Sequence, residues 1–268
     1  MSEIAFSYTI VAVMASAMMT LAWLAHLKYK NASLGDIPWC FGNIVFFAAL
    51  TQYHHNWSTA HIVYLLIITL WSARLGIYLT GRIFKDPYKE DDRFKKIRSD
   101  VKKNEGLIFF GLFQFQAFLQ ILLSSCYVVC AMDSGLHIGL AQIFALFLFI
   151  ISFILQWIAD FQLADFSRHN HNQKSVCDKG LWKYSRHPNY FFEWCIWLSL
   201  AIFALNSPLA LLAFLSPLVI YVVLTQISGV KLSEEVSLAK RGEAYKEYMS
   251  RTSSFFPLPA KTAKSEKR

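Results

Sequence analysis

Apolar runs of about twenty residues alternate along this chain with short segments dense in charge, a pattern that predicts membrane-crossing helices rather than the helices of a soluble globule. Seven runs qualify, over 5–27, 38–54, 61–83, 107–131, 137–159, 188–205 and 208–228. The second is short, and the last two are separated by little more than Asn206-Ser207-Pro208, so the expected count is about seven with six as the alternative. The predicted fold class is all-α, a polytopic membrane helix bundle. It forms one integral membrane domain over 1–260, and the basic tail at 261–268 is expected to be disordered.

Composition agrees, and charge adds direction. With 55% hydrophobic and 16% charged residues, the chain is too apolar for a soluble domain. Arg74 lies within the third run; the other Lys and Arg residues sit at or beyond the ends of runs one, three, five and seven. The connections near 54–60, 132–136 and 206–207 hold none. The positive-inside rule then places the N-terminus outside and the C-terminus in the cytoplasm, of a bacterial inner membrane or of the endoplasmic reticulum. The first run lacks the basic start and cleavage site of a signal peptide and reads as an uncleaved anchor. A net charge of +8 gathered on one face suits anionic membrane lipids or a phosphate-bearing ligand, and without a soluble basic domain nucleic acid is not an expected partner. A monomer is expected. The five cysteines are scattered with no C-x-x-C pair, which predicts apolar packing. His54, His55 and His61 cluster without a carboxylate or cysteine, so no metal site is expected there.

Polar residues at the mouths of apolar runs are costly, and they mark the candidate chemistry. Pro188 suits the first turn of a helix, where its missing N–H is not needed. On the helix that follows, Asn189, Glu193 and Trp197 recur every four residues on one face. Glu193 lies roughly 6 Å of rise beyond Asn189, just inside the hydrocarbon edge. It is the leading candidate for a functional carboxylate, with a structural ion pair to Arg186 or Arg74 as the alternative. In the third run Trp71, Arg74, Tyr78 and Arg82 form one stripe. Arg74, about 12 Å inside Arg82, needs an anion, which Glu193, Asp36 or a ligand phosphate would supply. Arg168, Lys174, Lys179, Lys183 and Arg186 surround the start of the Pro188 helix, whose free N–H groups favour phosphate or pyrophosphate. Beyond the last run, KLSEEVSLAKRGEAYKEY reads as one amphipathic helix, with Glu234, Leu238, Arg241, Tyr245 and Tyr248 on a face that suits a cofactor or the membrane surface. Gln116 and Gln120, one turn apart in the fourth run with Gln114 nearby, fit either a substrate cavity or hydrogen bonds between helices.

These residues carry a resemblance. Asp160, GLWKYSRHPNYFFE at 180–193, Trp197, Ser228-Gly229, Glu234-Glu235, Arg241, Tyr245, Tyr248 and the ending Phe255-Phe256-Pro257 resemble the C-terminal domain of the steroid 5-alpha-reductase superfamily, most closely its reductase-like branch. Asp36-Ile37-Pro38-Trp39 and Trp71 with Arg74 and Tyr78 resemble its N-terminal half more weakly. The resemblance implies a membrane reductase of seven helices that takes NADPH from the cytoplasmic side. Its reaction would reduce a carbon–carbon double bond conjugated to a carbonyl in a steroid-like or other lipophilic substrate. The cofactor contacts carried over are Asp160, Asn189 and Glu193, joined by Arg168, Tyr184, Arg186 and the Arg241, Tyr245 and Tyr248 face. Glu193, Asp36 and Trp71 take catalytic positions, and Arg74, Gln116, Gln120 and Trp197 line the substrate. Such chemistry needs a donor on the carbonyl oxygen as charge builds there, in a dry pocket.

Two departures bear on the substrate. Asp36 and Trp71 stand where steroid reductases hold Glu and Tyr, and a tryptophan offers one N–H and no titratable proton. Phe192 stands where the motif has Gly. The competing reading is a membrane methyltransferase of the isoprenylcysteine or phospholipid type, which shares RHP-x-Y, a later Glu-Glu and a Tyr-rich ending and uses S-adenosylmethionine. Asn189-Tyr190-Phe191 with Glu193, and Asp160 upstream, favour the reductase. A third reading, a non-enzymatic lipid-binding protein, makes the charged residues structural.

Overall fold

The computed structural model describes residues 2–101, 103–170, 172, 174–227 and 229–261, the side chains of Asp92 and Arg93 excepted. Ser228 and, beyond Lys261, the tail expected to be disordered lie outside the described residues. Among those residues the chain is all-helical with no strand; an isolated parallel bridge joins Ser185 and Ser253. In order the helices are α1 (Glu3–Tyr29), α2 (Asp36–His54), α3 (Thr59–Lys85), α4 (Asp92–Asp100), α5 (Glu105–Leu123), α6 (Ser125–Met132) and α7 (Leu140–His169). There follow α8 (Pro188–Phe203), α9 (Ala210–Ala213), α10 (Leu215–Val222), a π-helical turn at Val223–Ile227, α11 (Val230–Arg241) and α12 (Glu243–Arg251).

Among the described residues six helical stretches are long and apolar enough to cross a membrane, so the chain is an integral membrane protein. They are α1, Ala32–His54, α3, α5, α7 and Ala210–Arg241. The sixth run, 188–205, is the one that falls short: α8 has 16 residues, roughly 24 Å of rise against a hydrocarbon layer of roughly 30 Å. The run 107–131 is also not one helix. It breaks at Ser124, where Ser124 and Ser125 turn their hydroxyls onto Ile121 O and Leu122 O, both at 2.7 Å, in competition with the helical ladder.

The described chain divides into two compact units, 1–143 with 201–216, and 144–200 with 217–268. In the first, α1 packs along α5 and α2 along α3. Phe46, Phe47, Tyr64, Trp71, Phe109, Phe113 and Tyr127 fill its interior. Its outward surface is apolar too: Val13, Leu21 and Ile77 are exposed, the pattern of helices that meet lipid on one side and protein on the other. Glutamines stitch these helices together. Gln114 accepts from Ser16 Oγ at 2.7 Å and donates to Thr20 Oγ1 at 3.0 Å, while Gln120 Nε2 donates to Pro38 O at 3.0 Å. His61 forms a capping box with Ser58 and reaches Cys130 O, and His54 bonds Ser7 Oγ. The five cysteines are buried free thiols, in keeping with apolar packing.

In the second unit, α7 and α8 run side by side, and the segment after α12 returns to the start of α8. Phe191, Trp194, Tyr221, Phe255 and Phe256 form an aromatic cluster there, with ring centroids between 5.3 and 6.3 Å apart. The amphipathic segment expected to be one helix is two. Gly242, at φ 56 and ψ −127, turns the chain between α11 and α12 in a conformation open to glycine.

Candidate functional site

Pro188 is the first residue of α8, as the sequence predicts, and it sets Asn189, Glu193 and Trp197 on one face. What they meet is a matching face of α7. Asn189 Nδ2 donates to Asp160 Oδ1 at 3.1 Å. One turn further, Gln156 Nε2 donates to Glu193 Oε2 at 2.7 Å, and Trp197 Nε1 donates to Glu193 Oε1 at 3.0 Å. The two helices thus share a ladder of two carboxylate–carboxamide rungs, with acid and amide exchanged between them: acid on α7 in the first, acid on α8 in the second. Glu193 is buried at 9% exposure and Gln156 at 6%. Gln156 was not singled out in the sequence, although its spacing of four from Asp160 places both on one face of α7.

Beside the first rung lies a cavity of about 160 Å³ lined by Leu163, Val176, Cys177, Trp182, Arg186, His187, Asn189, Tyr190, Ser233, Ser237, Arg241, Tyr245 and Tyr248. The elements deliver these residues by simple spacing. Ser233, Ser237 and Arg241 recur every four residues along α11, and the Gly242 corner swings Tyr245 and Tyr248 of α12 into the same wall. Arg241 is braced by Ser175 O at 2.9 Å and Ser237 Oγ at 3.0 Å. The His187 ring stacks on Tyr190, 5.3 Å between centroids and 6° between planes. Burial pushes the Cys177 thiol and the Tyr245 and Tyr248 hydroxyls up from their ordinary values, so all three line the cavity uncharged.

Arg186 faces the cavity, but its guanidinium is engaged by protein on both edges. Nε and Nη2 lie 2.7 Å from Glu234 Oε1, and Nη1 donates to Met249 O at 3.1 Å and Thr252 O at 2.5 Å. The pairing with Glu193 considered from the sequence is replaced by one with Glu234. Tyr184 is 44% exposed and, like the exposed Arg168, is not in the cavity wall. Phe192 is buried against Phe191, which gives the bulky substitute a packing role.

The remaining candidates belong to the first unit. Asp36 opens α2 with its carboxylate 4.0 Å from Arg82 Nη2, which also lies 3.3 Å from Asp91. Trp71 is buried at 1% exposure, Arg74 is half-buried and Tyr78 is 69% exposed, so the stripe on α3 runs from the interior to the surface. Gln120 spends its amide N–H groups on Pro38 O and Trp39 O, and Gln116 Oε1 faces the Gly35 backbone.

The cavity's donors suit an anionic, nucleotide-like ligand: Arg241 with Ser233, Ser237 and Tyr190 hydroxyls for phosphate or ribose, and aromatic faces for a base. Its volume accommodates part of such a ligand. Among the described residues no group of three or more His, Cys, Asp or Glu side chains is arranged to hold a metal ion.

A relative in Schizosaccharomyces pombe, described as Uncharacterized protein C594.04c, is 27% identical over 259 residues, covering 88% of this chain and 75% of its own. No solved structure matches. A family model described as protein of unknown function (DUF1295) matches residues 22–252, which takes in the ladder, the cavity and the Asp36 and Trp71 positions, and the chain belongs to that family.

Proposed function

We propose that the protein is an NADPH-dependent reductase of the steroid 5-alpha-reductase superfamily, acting on a carbon–carbon double bond conjugated to a carbonyl in a lipophilic substrate. The ladder carries this reading. A nicotinamide ring bears a primary carboxamide that both donates and accepts, and rungs built from carboxylates and carboxamides offer the complementary groups in a fixed order. When bound, NADPH supplies the hydride that reduces the β-carbon of the enone. Asp160 and Asn189 orient the carboxamide; Glu193, held on both oxygens by Gln156 and Trp197, fixes the charge at that end of the site. Arg241, Ser233 and Ser237 bind phosphate or ribose oxygens, and Trp182 and Tyr245 give apolar faces to a base.

The family resemblance assigns Asp36, Trp71, Arg74, Gln116, Gln120 and Trp197 to the enone. Trp71 and Arg74 are the donors among them suited to a carbonyl oxygen, and the carbonyl-polarising step then needs no acid at position 71. With α8 crossing as a short seventh span, the one-sided distribution of Lys and Arg supports an N-terminus outside, a cytoplasmic C-terminus and nucleotide entry from the cytoplasm. Calorimetry on detergent-solubilised protein, with NADPH, NADH and S-adenosylmethionine as titrants, tests the reading. NADPH is expected to bind tightest, and its absorbance to fall when an enone is added. Saturable binding of S-adenosylmethionine with none of NADPH would replace the reductase with the methyltransferase.

A further inference from the structure

After α12 the chain leaves helical geometry at Thr252 and runs extended across the start of α8. Its hydrogen bonds land on the residues that build the cavity. The Arg186 N–H donates to Ser253 O at 2.8 Å, the Leu258 N–H to Tyr184 O at 2.9 Å, and Ser185 Oγ to Phe255 O at 2.8 Å. One edge of the Arg186 guanidinium is held by Met249 O and Thr252 O. In the turn just before, Tyr248 OH donates to Trp182 O. Three walls of the cavity, Trp182, Arg186 and Tyr248, therefore depend on where this segment lies.

The segment itself is held at its edges. It contributes one isolated bridge rather than a ladder, and Phe256 and Leu258 are 44% and 54% exposed. Phe255 is its buried anchor, set among Phe191, Trp194 and Tyr221. A segment paired through an isolated bridge, with exposed side chains on its outer side, opens more readily than the long helices it rests on. A ligand that requires Arg186 and Tyr248 in position binds the docked state better than the undocked one, and such a preference acts in both directions.

We propose that residues 252–260 form a strap whose docking completes the cavity, so that nucleotide occupancy and strap closure are reciprocally linked. The inference rests on reading the cavity as the nucleotide site. It gives the site a means of regulation: anything that lifts the strap on its exposed side weakens the ligand without touching the Asp160–Asn189 and Gln156–Glu193 rungs.

The test is amide hydrogen exchange on the full chain in detergent, with and without saturating NADPH, together with NADPH affinity for two variants. The Arg186 and Leu258 amides are expected to exchange about tenfold more slowly with NADPH bound. Phe255→Ser, which removes the anchor, is expected to weaken NADPH about tenfold. Leu258→Pro, which deletes one donor and leaves the aromatic cluster in place, is expected to weaken it several-fold and decides the matter where Phe255→Ser fails to fold. NADPH binding with unchanged exchange at both amides and unchanged affinity in Leu258→Pro overturns the strap and leaves the reductase standing. Absence of NADPH binding to the wild-type chain overturns both.

Discussion

Two carboxylates of the second unit are both withdrawn from solvent and differ in the donors that hold them. Glu234 faces a cation: its Oε1 lies 2.7 Å from both Nε and Nη2 of Arg186, and His187 Nε2 is 3.4 Å from the same oxygen. Glu193 takes hydrogen bonds from Gln156 and Trp197, neutral donors that fix the position of both its oxygens. A part-buried ion pair of this kind is a scaffold, and removing half of it strands the other half. An amide and an indole donating to a carboxylate fix where its oxygens sit. The lesson is that two carboxylates of the same unit are held by different donors, a guanidinium at Glu234 and an amide with an indole at Glu193.

That contrast can be broken at its strongest point first. Glu234→Ala leaves Arg186, 8% exposed, without its carboxylate, and should cost about 3–5 kcal/mol of stability. Thermal unfolding in detergent reads it, and a wild-type midpoint would place Glu234 outside the scaffold. Glu193→Gln keeps the shape and should slow single-turnover hydride transfer on the order of 10²-fold with little change in unfolding midpoint. A normal transfer rate would remove Glu193 from the catalytic residues; a large loss of stability would make it a second Glu234.

Gly242→Ala sharpens the comparison from the backbone. Nothing lies within 4 Å of the added Cβ, so any cost comes from φ 56 alone. About 1–3 kcal/mol is expected, with cavity affinity falling because the corner aims both Arg241 and Tyr245. An unchanged midpoint and unchanged nucleotide affinity would show the corner to be unstrained. The smallest effect extends the contrast to the first unit, where Glu90 behaves like Glu234. Burial pushes its carboxyl up, but the bonds from Arg98 and the Ala32 N–H outweigh this and leave it below its ordinary 4.5. A depressed folded value contributes stability that is fully present above about 4.5 and lost as pH falls through the folded value. The unfolding midpoint should therefore decline below that pH in the wild type and less steeply in Glu90→Gln; parallel profiles would count against the pairing.

Much of this was legible in the sequence because it is local. Pro188 as a helix start and the Asn189, Glu193 and Trp197 face follow from spacing alone, and the apolar run lengths give an all-helical membrane protein. What was not legible is pairing across distance. Gln156 is one amide in a long apolar run, and nothing local says that it meets Glu193 rather than another helix. Arg186 reads as a phosphate ligand from its neighbours in sequence, but Glu234 and the carbonyls of Met249 and Thr252 arrive from residues far along the chain. The split of the last amphipathic segment was signalled by Gly242, since a glycine inside a helical pattern is a breaker that the charge periodicity masks. The break at Ser124 carried a weaker sign, two adjacent serines in an otherwise apolar helix.

The exchange of acid and amide between the two rungs also keys how the helices fit together. Were α8 to slip one turn along α7, Asp160 would face Glu193, setting two carboxylates against each other in an apolar layer. A slip the other way would leave Gln156 against Asn189, two amides with no acid between them. Had both acids stood on one helix and both amides on the other, a one-turn error would still have matched one rung. Four side chains thus act as a combination that admits one alignment, and a chain assembling in lipid, where apolar surfaces slide past one another at little cost, has a way to reject its own near misses.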